Sequence, residues 1–139
     1  MPGPHEAAPL SEESRFKGKT GLARVIAAFH NSLAGLGDAW RHENSFRQEV
    51  LLAAVMIPVA LLVPVSAVER ALLVAAVLLV LIVELLNSSV ETAIDRISFD
   101  HHALSKRAKD IGSAAVLMAL ALCVVVWVLI LAPLVPLGG

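Results

Sequence analysis

Tyrosine is absent from these 139 residues, and cysteine occurs once, as Cys123 inside an apolar run. A lone thiol closes no intrachain disulfide and builds no cysteine metal cluster. Aromatic residues make up only 4% of the chain and charged residues only 17%, while 58% is apolar and the mean hydropathy is +0.78. Soluble domains run nearer ~25% charged and ~45–50% apolar, so this chain has too little polar surface for water on every side. The same balance excludes a disordered chain. Charge is segregated as well as scarce: none falls on residues 50–68, 71–83 or 111–139. With a formal net charge of -1 so distributed, nucleic acid is not an expected partner.

What fills the uncharged stretches is membrane-spanning sequence. A spanning helix needs ~20 mostly apolar residues to cross ~30 Å of hydrocarbon, which 50–68 and 113–131 supply outright. Residues 71–83 are too few alone, so that helix must continue through Glu84, Asn87, Glu91 and Asp95. The pattern predicts transmembrane helices at 48–64, 67–97 and 109–131, with Pro58 and Pro64 kinking and ending the first. Residues 1–20 are polar, of mixed charge and without the apolar core of a signal peptide, and read as a flexible tail. After them, Leu22, Val25, Ile26, Phe29, Leu33 and Leu36 recur at steps of three and four, one face of a helix. An amphipathic helix over 21–36 is expected to lie on the membrane surface, ended by Gly35 and Gly37; packing on its own bundle is the alternative. Six Lys and Arg precede the first span, one lies between the first two, four between the last two and none after. The positive-inside rule then puts the N-terminus and the 98–108 loop in the cytoplasm and the C-terminus outside. The expected class is an all-α membrane protein with one membrane domain over 21–139.

Some polar residues do enter a span, and they form a pattern. Glu84, Asn87, Glu91 and Asp95 are spaced three, four and four apart, so at ~100° per residue they share one narrow helix face. An acid at the centre of a span costs at least ~2.5–3.5 kcal/mol on insertion scales and normally faces protein or a polar cavity. An architectural reading pairs these acids with Arg47 or Lys109 and lets Asn87 and Ser88 join helices. Three acids need more positive partners than the spans contain, however, and stacked carboxylates suit Mg²⁺, which is held by one or two carboxylates plus substrate phosphates. Nearby, Glu43 and Arg47 stand four apart, a spacing that also suits a plain helical salt bridge. Lys109 and Asp110 begin an apolar helix whose Gly112, Ser113, Ala114 and Ala115 permit close packing, and a lysine at a membrane edge also serves as an anchor. Gly18-Lys19-Thr20 ends like a phosphate-binding loop, but Glu13 stands where the loop's first glycine belongs.

Three segments together resemble the bacterial diacylglycerol kinase family: Glu43 to Glu49 (ENSFRQE), Glu84 to Arg96 (ELLNSSVETAIDR) and Ala108 to Val116 (AKDIGSAAV). The resemblance extends over about residues 21–131. It implies a small homotrimeric membrane kinase of the bacterial inner membrane, with a surface helix and three spans per subunit. Such a kinase moves the γ-phosphate of Mg-ATP to the hydroxyl of diacylglycerol and yields phosphatidic acid. By position, the resemblance implies Glu84 as catalytic base and Glu43 and Glu91 as the carboxylates that hold Mg²⁺ on the ATP phosphates. It implies Arg24, Asp100, His101, His102, Lys109 and Asp110 as further nucleotide contacts. Arg24, Arg47, Glu49 and Ser113 would join Glu84 beside the lipid, with Asn87 and Asp95 in support. Asn31 stands where the resemblance leads one to expect an aromatic near adenine. Two rivals stay open: an undecaprenol kinase of the same superfamily, and a non-enzymatic transport or channel subunit in which the acidic stripe is a cation path. The second leaves Glu43 and the Lys109-Asp110 pair without a role.

Overall fold

Apolar runs interrupted at Pro64 and around Asp100 dictate long helices, and the computed structural model bears this out for residues 21–97, 102–136 and 138, the part of the chain it describes. The expected tail, together with Asp100 and His101, lies outside the described residues. Every regular element among the described residues is helical: α1 (Gly21–His42), α2 (Asn44–Leu62), α3 (Ala67–Ile97) and α4 (Ala103–Leu131), followed by a 3-10 turn (Ala132–Leu134). Three stretches, α2, α3 and α4 with its following turn, are long and apolar enough to cross a membrane. The chain divides into two compact units at Gly37 and Asp38.

In α1 the stripe of Leu22, Val25, Ile26, Phe29, Leu33 and Leu36 is exposed. The expected break at Gly35 and Gly37 does not occur, and the helix runs on to His42. Neither glycine adopts a positive φ, and glycine inside a helix costs only ~1 kcal/mol relative to alanine, too little to stop it.

Pro58 sits inside α2, whereas Pro64 lies just past its end. The residue before proline avoids helical angles, and Val63 is extended (φ -68, ψ 148) while its N–H still donates to Val59 O at 3.1 Å. The next helix begins with a reciprocal cap: Glu69 N donates to Ser66 Oγ at 3.2 Å, and Ser66 N donates to Glu69 Oε2 at 2.8 Å. Arg70 Nη2 donates to Val63 O at 3.1 Å and ties α3 back to the end of α2.

Helix α3 is the middle element, packed against both α2 and α4. Its contact surface holds Ala53 of α2, Ala76, Val77 and Val80 of α3, and Ala119 and Cys123 of α4. The alanines let backbones approach closely, as membrane helices require in the absence of a hydrophobic drive between them. Leu73 is fully buried, and Trp127 Nε1 donates to its carbonyl oxygen at 3.1 Å. Leu62, Leu117, Met118 and Leu129 instead face outward, as expected where lipid is the solvent. Along α3 the buried residues are Leu73, Ala76, Val77, Val80, Glu84 and Ser88. The apolar stripe that builds the core therefore runs straight into a carboxylate.

Candidate active site

Glu84 is only 5% exposed, and Ser88, one turn on, is 7% exposed. The expected face is present as a gradient: Glu84 is buried, Asn87 and Glu91 are half-buried, and Asp95 is exposed. Asn87 Nδ2 donates to Glu91 Oε1 at 3.3 Å, while Asn87 Oδ1 is buried with no partner among the described residues.

Helix α2 adds two more acids. Glu43 occupies its N-cap with extended backbone (φ -106, ψ 106), and its side chain takes no capping bond. Glu49 lies farther along the same helix, with Oε2 buried and without a hydrogen-bond partner among the described residues. The charges of Glu43 and Glu91 act on Glu84, and that of Glu84 acts on Glu49. Glu84 thus shares its surroundings with like charge from both α2 and α3, and none of these four acids pairs with a cation among the described residues.

The cations are engaged elsewhere. Lys109 Nζ bridges α4 to Asp95 Oδ1 of α3 at 2.5 Å, and Lys106 Nζ pairs with Asp110 Oδ2 at 2.6 Å. Of the three acids in the stripe, Asp95 alone among the described residues has the cation partner that the architectural reading expects. Arg47 does not meet Glu43. Its Nη1 donates to the carbonyls of Trp40 and Arg41, both at 3.0 Å, and its Nη2 donates to Asn44 Oδ1 at 3.1 Å. It thereby caps the last turn of α1, whose carbonyls have no intrahelical donor.

On α4, His102 is the N-cap, its Nδ1 accepting from Leu104 N–H at 3.2 Å. Ser113 is exposed beside Gly112. Between α3 and α4 lies a groove of about 440 Å³, lined by Val83, Leu86 and Val90 on one side, Ile111, Gly112 and Ala115 on the other, with Asn87 between. Arg24 is exposed on α1. Two features went unforeseen in the sequence: the N-cap role of His102 and the tight seat of Asn87 against Gly112.

Among the described residues, no three His, Cys, Asp or Glu side chains are grouped to hold a metal ion by themselves. That excludes a dedicated protein cage there. It leaves the mode in which Mg²⁺ takes one or two carboxylates and the rest of its oxygens from phosphate and water. Glu43 and Glu91, with no cation partner among the described residues, fit this mode.

Residues 30–131 match the model of a protein family described as prokaryotic diacylglycerol kinase. The chain belongs to the prokaryotic diacylglycerol kinase family. It is 56% identical to the diacylglycerol kinase of Pseudomonas aeruginosa over 118 residues, 85% of this chain and 96% of that one. It is 46% identical to the diacylglycerol kinase of Escherichia coli K12 over 112 residues, covering 81% and 92%. With that of Helicobacter pylori strain 26695 the identity is 39% over 107 residues, covering 77% and 84%. A member of the diacylglycerol kinase family is a phosphotransferase, so the chain is an enzyme.

Proposed function

We propose that this chain transfers the γ-phosphate of Mg-ATP to the free hydroxyl of diacylglycerol, giving phosphatidic acid and ADP. The observation that carries this reading is the buried Glu84, which feels the charges of Glu43 and Glu91 and acts on Glu49, with no cation paired to any of these acids among the described residues. Glu84 takes the proton of the lipid hydroxyl as its oxygen bonds to the γ-phosphorus, and the bond from that phosphorus to the bridging oxygen of ADP breaks. Bound Mg²⁺ supplies charge neutralisation on the phosphates. Glu43 and Glu91 would hold it there, and Asn87 steadies Glu91 through its amide N–H. Lys109 exchanges Asp95 for a phosphate oxygen, with Asp110 and His102 beside the nucleotide. Glu49, Ser113 and Arg47 border the lipid.

Depth separates the two substrates. Glu84 lies seven residues from Glu91, ~10 Å along a helix, so the water-soluble donor binds near Glu91 while Glu84 meets a hydroxyl at acyl-glycerol depth. Charge asymmetry supports a bacterial inner-membrane location with the N-terminus and the 98–108 loop in the cytoplasm and the C-terminus outside. The outer part of the acidic stripe, exposed at Asp95 and half-exposed at Glu91, supports a homo-oligomer, and the family resemblance implies a trimer. A fully active monomer by mass measurement in detergent refutes that assembly.

The names of the relatives favour diacylglycerol over undecaprenol as acceptor. Purified protein incubated with γ-labelled ATP and either lipid tests the reading. Label is expected in phosphatidic acid. Label confined to undecaprenyl phosphate transfers the assignment to the polyprenol kinase, and no labelled lipid at all, with ion flux in vesicles, supports the transport rival.

A further inference from the structure

We infer that Gly112 is a positioning residue for phosphoryl transfer: its missing side chain is the seat of the Asn87 amide, which in turn orients the Glu91 carboxylate. This rests on the role proposed for Glu91 above. A Cβ placed on Gly112 would collide with Asn87 Oδ1 and come within 3.2 Å of its Cγ, but would stand 4.0 Å from its Cβ, an ordinary contact. The gap at Gly112 is thus filled by the amide group itself, not by the backbone of α3.

The orientation of that amide follows from its two surroundings. Turning it over would set oxygen against the Glu91 carboxylate, so Nδ2 faces Glu91 at 3.3 Å. Oδ1 is then driven inward, where it is buried with no hydrogen-bond partner among the described residues. A buried acceptor without a donor is an unfavourable arrangement. It persists because Gly112 leaves this one space where α3 packs on α4. A methyl at position 112 meets only the far end of a flexible side chain. The amide turns aside, α3 and α4 stay packed, and Glu91 loses its donor.

A double-mutant cycle over Gly112→Ala and Asn87→Ala, in the full-length protein in detergent, tests this. The readout is the affinity for Mg²⁺ with a non-hydrolysable ATP analogue, measured by titration calorimetry. Gly112→Ala is expected to weaken binding about tenfold, the scale seen when a group orienting a metal ligand is lost. Asn87→Ala is expected to do the same. The combined variant is expected to bind no more weakly than Asn87→Ala alone, because the alanine at 112 then has nothing to displace. Wild-type affinity in Gly112→Ala, or a second full loss in the combined variant, overturns the inference. If Gly112→Ala fails to fold, the pair Asn87→Ala and Asn87→Ala with Gly112→Ala still decides it, since neither contains the clash. Phosphorylation of diacylglycerol by the wild-type preparation tests the underlying function separately.

Discussion

Lys109 of α4 reaches across to Asp95 of α3, Nζ to Oδ1 at 2.5 Å, while its sequence neighbour Asp110 turns back to Lys106. Two adjacent residues that the family resemblance assigns to one nucleotide are thus held by different partners. Both pairs are largely exposed, and such pairs contribute little to stability and are screened by salt. The ammonium is therefore easily released to a phosphate.

Lys109→Ala should raise the KM for ATP about tenfold or more, as loss of a charge-assisted hydrogen bond does, with little change in thermal stability. Steady-state kinetics beside a melting curve in detergent checks this. A large drop in melting temperature with an unchanged KM would identify Lys109 as a helix tie alone.

Glu84→Gln should lower phosphoryl transfer by about 10²–10⁴-fold, the usual contribution of a general base. The fold should hold, because a neutral isostere replaces a carboxylate that is only 5% exposed and removes its desolvation cost. Turnover near wild type would remove Glu84 from the role.

Glu43→Gln and Glu91→Gln should each shift the magnesium titration of activity to higher concentration, since each removes one hard oxygen ligand. The two shifts should combine to more than either alone. A magnesium dependence that stays put in both variants would mean that phosphate and water oxygens hold the ion without them.

Arg47→Ala should destabilise the fold by about 1 kcal/mol through the two carbonyls it leaves uncapped. Chemical denaturation measures this, and Arg47→Lys, which cannot span both Trp40 and Arg41, should recover only part. An intact fold combined with a raised KM for lipid would instead support a place beside the acyl-glycerol.

The spans and the acidic face were legible because periodicity and absence of charge are properties of the sequence itself. Arg47 was not, for a geometric reason. A spacing of four makes Glu43 and Arg47 neighbours only if both are helical, and Glu43 is extended at an N-cap. The continuation of α1 through Gly35 and Gly37 was equally hidden, since a glycine weakens a helix without ending it. The cap of α3 could have been read: Ser66 and Glu69 stand at the S-x-x-E spacing before an apolar run. Nothing in the sequence alone pairs Gly112 with Asn87, which are brought together only when α3 packs on α4.

Helix α3 comprises 31 residues, about 46 Å at ~1.5 Å per residue, against ~30 Å of hydrocarbon. From Ala67 to Glu84 is 17 residues by number, or about 26 Å, nearly the whole thickness of that layer. Anchored by its capped end at Ser66 and Arg70, the helix works as a depth gauge. A thin bilayer lifts Glu84 toward the headgroups and a thick one draws it among the acyl chains, unless the bundle tilts to compensate. With Glu84 as the proposed base, the surrounding lipids are more than a reservoir of acceptor: their chain length should set the height of that carboxylate, and turnover measured across lipids of graded chain length should peak at one bilayer thickness.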